Sequence, residues 1–418
     1  MSNSNVLSSL NCYLVGGAVR DQLLNKEIYD RDWVVVGSTV EEMLSLGFKQ
    51  VGKDFPVFLH PITKEEYALA RTERKQGKGY TGFICNAGTN VKLEDDLLRR
   101  DLTINAMALS DSGQIINPYG GQQDLNNRIL RHVSDAFIED PLRVLRVARF
   151  ATRFHEYNFT VAPETLTLMK VISENDELST LSGERIWQEM SRSLADKHPE
   201  VFFNTLRSCG ALKQLWPELD ALWGIANPEQ HHPEVCSGIH TMMVLQQSVK
   251  LSNSVSVRFA ALCHDLGKTL TPKESIPMHV RHEQLGLPLI EKICKKLKVP
   301  NKAKSLALKV CQFHLHCHRA LELKPQTIMT LFNNLDVWRK PEEFEDFLLV
   351  CQADATGRLG FENNTYPQAQ FLKELYTQTS RVKSLEFVEQ GLTGIKIKEA
   401  INDKKLRIIE ALKTSLNV

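Results

Sequence analysis

No hydrophobic run in the 418 residues approaches the length that crosses a bilayer, so a membrane-spanning segment is not expected. The first residues, MSNSNVLSSLN, carry neither a basic cluster nor an apolar core, which argues against a secretory leader. No CxxC pair occurs among the nine cysteines, and their number is odd. That excludes a simple thiolate zinc site and a disulfide framework, and it points to reduced thiols in the cytoplasm. Charge of one sign is also lacking: the formal net charge is +1. A nucleic-acid partner would therefore have to be met by local basic clusters, because the whole chain supplies no field. Internal repeats and low-complexity tracts are absent, while the length predicts about two to four domains.

What is present changes texture along the chain. Up to about residue 140, strand-like and helix-like segments alternate. Tyr13-Leu14-Val15 and Trp33-Val34-Val35-Val36 read as strands, as do 56–60 and 66–71; 19–24 and 40–46 read as short helices. Residues 74–90, rich in Gly, Lys and Thr and without periodicity, read as a mobile loop. Beyond about residue 140 strand signals fade and amphipathic helices follow one another at 141–154, 163–172, 183–194 and 200–209. Gly, Pro and Asn in 224–233 predict a linker, and the region beyond it holds most of the histidines. The expected class is α+β: a head with a small mixed sheet over 1–140, a helical neck and body over 141–225, a histidine-bearing helical domain over 226–360, and a C-terminal helical segment over 361–418.

Asp30 and Asp32 stand two apart at the entry to an apolar strand, where i and i+2 share a face. Side-by-side carboxylates repel unless a cation lies between them, and hard oxygen ligands suit Mg2+ together with phosphate oxygens. An isolated Asp-x-Asp is ordinary polar strand entry. Here it follows Gly16-Gly17-x-x-Arg20-Asp21, a glycine pair between strand and helix that lets backbone N–H groups and a guanidinium approach a phosphate. Further on, Asp140, Arg143, Arg146 and Arg149 recur every third position, a slowly winding stripe that calls for an anionic partner. Cytosine and adenine each present an exocyclic amine beside an acceptor ring nitrogen. A carboxylate can accept from the amine, and an arginine beside it can donate to the ring nitrogen. Guanine and uracil leave the carboxylate facing a carbonyl, a mismatch worth roughly 1–3 kcal/mol.

The segments LVGGAVRDQLL, DRDWVVVG, ALARTERK, EDDLLRRDLTINAMA, INPYGG and EDPLRVLRVARF together resemble the polymerase-β-type nucleotidyltransferases, specifically the class II group of CCA-adding enzymes and poly(A) polymerases. The resemblance covers nearly the whole chain and is closest to bacterial multidomain CCA-adding enzymes. It departs at Tyr29, where Lys is usual, and at Asn117, where Asp is common. The resemblance implies that Asp30 and Asp32 hold catalytic Mg2+, that Gly17, Arg20 and Arg100 bind the incoming nucleotide, and that Asp140 and Arg143 select its base with Arg146 and Arg149 in support. It implies CTP and ATP as donors and tRNA as acceptor, and it allows a homo-oligomer. The rival within the group is a poly(A) polymerase. A rival of another class is a tRNA-binding phosphohydrolase with an inactive head.

His264-Asp265 interrupts the apolar run FAALCHDLGK, and a buried charged pair is costly unless coordinated or hydrogen-bonded. With His240 in GIHTMM and with His279, His282, His314 and Asp354 farther on, imidazoles and carboxylates spread over several helices, the pattern of a metal held inside a bundle. This half resembles the HD-domain phosphohydrolases. By that resemblance His240, His264, Asp265 and Asp354 ligate a divalent transition metal such as Ni2+, Lys268 faces phosphate, and His282 and His314 serve a second ion. His316 and His318 read as ordinary packing or surface residues. The lysines of EKICKKLKVPNKAK read equally as a solvated helix face and as RNA contact.

Overall fold

The computed structural model describes residues 10–51, 57–75, 83–230 and 232–415, without the side chains of 73–75 and 83–85. The chain forms two compact units: one of Met1–Met190 with Val201–Leu215, the other of Ser191–Glu200 with Trp216–Val418.

The first unit is built on a seven-stranded mixed sheet. Its strands are β1 (Asn11–Val15), β2 (Asp32–Val36), β3 (Lys49–Gln50), β4 (Val57–Leu59), β5 (Glu66–Leu69), and, after the hairpin strands β6 (Thr72–Lys75) and β7 (Phe83–Asn86), β8 (Ala108–Ser110) and β9 (Ile115–Ile116). The order is β3-β4-β5-β2-β1-β8-β9, with β2 and β5 parallel and the other neighbours antiparallel. Alternation along β2 sorts the core. Val35 packs with Met43, Phe48, Phe58 and Tyr67, whereas Val34 packs with Val15, Leu93, Leu97 and Ala108. Asp32 has the parity of Val34, so it shares the face covered by Leu93–Leu98, the helix that leads into Arg99 and Arg100.

One sequence expectation needs correction here. The segment 74–90 is no plain loop: β6 and β7 pair antiparallel from Thr72↔Asn86 to Lys75↔Phe83, while 76–82 lie outside the described residues, as does Pro56 at the start of an expected strand. Threonine and aromatic residues at the flanks satisfy a ladder that glycine and lysine in the middle hide from a periodicity count. Between Leu102 and Leu109 a 3-10 turn, Thr103–Asn105, precedes β8.

The neck helix Leu142–Arg153 buries Val144, Leu145, Val147, Ala148 and Phe150, leaving its arginines on the remaining arc. In the second unit the helices Ser237–Leu251, Val255–Cys263, His282–Leu297, Asn301–His318 and Pro341–Thr356 pack on one another. Glycine lets two of its segments touch. A Cβ at Gly267 would overlap the His282 carbonyl, and one at Gly286 would press on Cys311 Sγ, so neither position tolerates a side chain without movement. The segment predicted as a linker is instead pinned. Asn227 N donates to Val235 O at 2.6 Å, Ser237 N donates to Ile225 O at 2.9 Å, and Ala226 bridges Cys236. Among the described residues no helix is long and apolar enough to cross a membrane.

Candidate functional site

The first unit carries a cleft of about 540 Å³ lined by Gly16, Gly17, Asp30, Asp32, Asp140 and seven arginines: Arg20, Arg99, Arg100, Arg143, Arg146, Arg149 and Arg153. Asp32 begins β2, while Asp30 precedes it in extended chain instead of lying within the strand as expected. Both are exposed, and neither enters an ion pair among the described residues. Burial within the cleft pushes the Asp32 carboxyl up, Arg100 pulls it down, and neighbouring Asp30 pushes it up again. Two unpaired carboxylates repelling across an arginine-lined cleft fit a divalent cation, and the opposed arginines fit a polyphosphate.

The arginines are held by a set of acids that sequence spacing did not single out. Arg20, almost wholly buried, donates through Nε to Asp21 at 2.9 Å and through Nη1 to Asn105 Oδ1. Asn105 donates in turn to Asp101 Oδ1 at 3.0 Å, and Asp101 Oδ2 accepts from Arg146 Nε at 2.7 Å. Arg149 is bound to Glu189 at 2.6 Å and Arg153 to Asp21 at 3.0 Å. Arg100 reaches Asp96 at 3.2 Å, and its Nη1 lies where a Gly16 side chain would be, 2.7 Å from an added Cβ. Phe150 and Phe154 form an aromatic floor, with Arg149 4.4 Å above one ring and Arg20 5.0 Å from the other. The expected base-selecting pair is placed at the start of the neck helix. Asp140 Oδ1 accepts from Leu142 N at 3.0 Å, and Arg143 is anchored by the carbonyls of Ala136 and Arg99 at 2.8 and 2.7 Å.

The second unit holds a cavity of about 690 Å³ whose floor is a buried imidazole–carboxylate cluster. Each of four rings is fixed by one nitrogen. Nδ1 of His240, His264, His282 and His314 faces the carbonyl of Gly357, Ala261, His279 and Val310 at 3.0, 2.7, 2.8 and 3.0 Å. Donation there makes Nε2 the nitrogen that each ring can turn to a metal once it carries no proton. The Nε2 atoms converge on two carboxylates. His264 and His282 lie 3.2 and 3.3 Å from Asp265, and His240 lies 3.1 Å from Asp354. His240, His264 and Asp265 form one compact ligand group, and Asp265, His282 and His314 form a second that shares its carboxylate. His264 Nε2 is buried without a hydrogen bond. Burial alone would raise both acids. His264 and Lys268 outweigh it at Asp265, His318 and His264 outweigh it at Asp354, and both are held well below the usual range. Burial opposes charge on His264, yet Asp265 and Asp354 push it up to about 9. The two acids thus demand positive charge, and this donor set fits a metal that would supply it.

Lys268 reaches Asp265 at 2.5 Å and Asn227 at 2.9 Å. His279 is no ligand, since its nitrogens face Thr271 Oγ1 and Ala226 O at 2.7 and 2.8 Å. Two residues were missed. Glu234, one residue past the expected linker, accepts at Oε1 from His240 Nδ1 at 3.1 Å and His232 Nδ1 at 2.9 Å. His318, read as an ordinary residue, lies 2.7 Å from Asp354 Oδ2. Its spacing of four from His314 puts both on one face of their helix, a signal that was available. In the lysine-rich stretch, Lys292 is paired with Glu218 at 2.8 Å.

Comparison with known proteins adds a name to each part. Residues 12–131 match the poly A polymerase head domain, 158–222 the probable RNA- and SrmB-binding site of polymerase A, and 238–356 the HD domain. The multifunctional CCA protein of Pseudoalteromonas atlantica is 57% identical over 96% of this chain and 99% of its own, and that of Vibrio parahaemolyticus 56% identical over 98% and 100%. Among solved structures, the Thermotoga maritima CCA-adding enzyme complexed with tRNA aligns at a TM-score of 0.62 and 19% identity, over 98% of this chain and 92% of that one. A CCA-adding enzyme in complex with ATP gives 0.64 and 19%, over 96% and 86%.

Proposed function

The chain belongs to the multifunctional CCA protein family, and from that premise we propose that it is a tRNA nucleotidyltransferase that adds or repairs the 3′-terminal CCA from CTP and ATP without a nucleic-acid template, with a second, metal-dependent phosphohydrolase centre. In this reading residues 1–140 form the nucleotidyltransferase head, 141–225 a nucleotide-selecting and RNA-binding neck and body, 226–360 the HD domain and 361–418 a helical tail, in a cytoplasmic protein.

The observation that carries the reading is one cleft in which two unpaired carboxylates face seven held arginines. Arg20 and Arg100, beside Gly16 and Gly17, take the triphosphate. Arg146 and Arg149, fixed by Asp101 and Glu189, support the nucleotide. Asp140 accepts from the exocyclic amine of cytosine or adenine, and Arg143 donates to the ring nitrogen, so a carbonyl in the amine's place is refused. Mg2+ at Asp30 and Asp32 would lower the charge on the attacking 3′ oxygen and on the departing pyrophosphate. Poised acids hold their arginines in place before the nucleotide arrives, so little reorganisation accompanies transfer.

In the HD cavity His240, His264, Asp265 and Asp354 would hold a divalent transition metal such as Ni2+, with His282 and His314 placed for a second ion that shares Asp265. The metal would supply an activated water for a phosphate monoester or a 2′,3′-cyclic phosphate, and Lys268 would neutralise the phosphate. One such centre clears a blocked RNA end and the other extends it.

The test is incubation with tRNA lacking CCA and each labelled nucleoside triphosphate in turn. Ordered C, C, A incorporation that Asp30→Ala abolishes supports the reading. Long A tracts indicate a poly(A) polymerase, and no incorporation leaves a tRNA-binding phosphohydrolase.

A further inference from the structure

His318 differs from the four carbonyl-fixed imidazoles around it in both of its bonds. Its Nε2 meets Asp354 Oδ2 at 2.7 Å, and its Nδ1 meets the Tyr366 hydroxyl at 2.9 Å. A carboxylate accepts, so the proton between His318 and Asp354 sits on Nε2, while Nδ1 is held by the Tyr366 hydroxyl, which also lies 3.4 Å from Cys317 Sγ. The other four rings are held differently: at His240, His264, His282 and His314 a backbone carbonyl fixes Nδ1 and Nε2 is turned to the ligand cluster. Both nitrogens of His318 are thus engaged by side chains. It is tied to both partners on the same wall of the cavity that they line. Asp354 divides its oxygens accordingly: Oδ2 belongs to His318, and Oδ1 lies 3.1 Å from His240 Nε2 and 3.8 Å from His264 Nε2.

Resting on the metal-centre reading above, we propose that His318, locked by Tyr366, is a positioning residue that turns Asp354 so that Oδ1 alone faces the ion. The tyrosine begins the segment leading into the helix Pro367–Thr379, while Asp354 lies on Pro341–Thr356 and His318 ends Asn301–His318. Three helices are thereby tied to one carboxylate rotamer. A carboxylate free to rotate would present two oxygens to the ion and lose the fixed geometry that outer-shell partners confer on ligands.

The experiment is equilibrium titration of the full chain with Co2+, read by its visible absorption, alongside kcat and KM for a nucleoside 2′,3′-cyclic phosphate. His318→Ala is expected to weaken Co2+ binding about 10- to 100-fold at unchanged stoichiometry. His318→Gln, whose amide nitrogen stands near the imidazole Nε2 position, is expected to restore binding to within a few-fold of wild type. Tyr366→Phe, which frees the tautomer, is expected to fall between them. Circular dichroism and urea unfolding of the full chain report that each variant is folded. Wild-type affinity in His318→Ala overturns the proposal. Loss of one bound ion in both His318 variants also overturns it, by making His318 a ligand. A Tyr366→Phe variant indistinguishable from wild type removes the tyrosine lock. A wild-type chain that takes up no Co2+ overturns the metal centre itself, and the role of His318 with it.

Discussion

In the nucleotide cleft the acids that would meet a metal, Asp30 and Asp32, are exposed, while the arginines around them are buried or half-buried and tied down. In the HD cavity the proportions reverse: Asp265 and Asp354 are buried, and the imidazoles around them are buried with them. On the proposed reading, the first arrangement would suit ions that arrive with a phosphate and leave with pyrophosphate. The second would suit a resident ion, because ligands desolvated by folding are uncompensated until a cation or protons occupy them. Burial, more than ligand identity, would then separate a travelling metal from a held one.

The sharpest way to break this comparison is to disable each centre alone. Asp30→Ala or Asp32→Ala is expected to lower nucleotide addition roughly a thousandfold, the several kcal/mol that metal stabilisation of transition-state charge supplies, and to leave cyclic-phosphate hydrolysis untouched. His264→Ala should do the opposite. Paired assays on tRNA lacking CCA and on a nucleoside 2′,3′-cyclic phosphate check both, and a variant that loses both activities would show that the centres are not independent. A smaller separation should follow from metal removal. After dialysis against a chelator, Mg2+ alone should restore C and A addition while hydrolysis stays about a hundredfold down until a transition ion is returned. Equal recovery of both with Mg2+ would erase the difference between travelling and resident metal.

The parts of these centres legible in the sequence are those whose chemistry is local. Gly16-Gly17, Asp30-x-Asp32 and His264-Asp265 each place their signal within a few residues. What was not legible depends on partners brought from far along the chain. Arg20 meets Asn105 across 85 positions and Asp21 meets Arg153 across 132; His240 meets Asp354 across 114, a join that only the resemblance, and no spacing, implied. No spacing announces that Asn105 and Asp101 join Arg20 to Arg146, because the join is made by packing the Leu93–Leu98 region and the neck helix against the sheet. Glu234 hid just past a stretch whose glycine and prolines read as a linker, and the β6–β7 pairing hid in residues whose composition reads as loop. Strand β2 was visible as a β-branched run; which of its residues face which cluster became apparent only in the packing.

Base choice sharpens the comparison within the cleft. Asp140→Ala should remove the acceptor that distinguishes an amine from a carbonyl, so discrimination of CTP over UTP is expected to fall roughly tenfold to a hundredfold, the equivalent of about 1–3 kcal/mol. Competitive incorporation from mixed triphosphates measures it. An unchanged ratio would transfer selectivity to other residues of the neck helix.

The smallest effect concerns the acid that ties the cleft together. Asp101 accepts from Leu102 N at 2.8 Å and Asn105 Nδ2 at 3.0 Å on one oxygen and from Arg146 Nε at 2.7 Å on the other. Burial would raise its carboxyl, but Arg146 and these hydrogen bonds outweigh burial and hold it below the usual carboxylate range. A group depressed on folding binds fewer protons in the native state than in the unfolded one, so its stabilisation is complete above the unfolded value, near 3.9, and is lost as pH falls through the folded value. Asp101→Asn removes that charge while keeping the shape. The expected loss at pH 7 is about 2 kcal/mol, at the scale of a hydrogen bond to a charged partner, because Arg146 is one-third exposed and water offsets part of its lost pairing. The loss should shrink as pH falls below about 3.9, where the unfolded carboxylate takes up a proton that the native one, held below the usual range, does not. Urea unfolding of wild type and variant at pH 7 and below pH 3 tests both statements. Equal destabilisation at the two pH values would mean that the asparagine acts through shape or through Asn105, and that the charge of Asp101 does not hold Arg146.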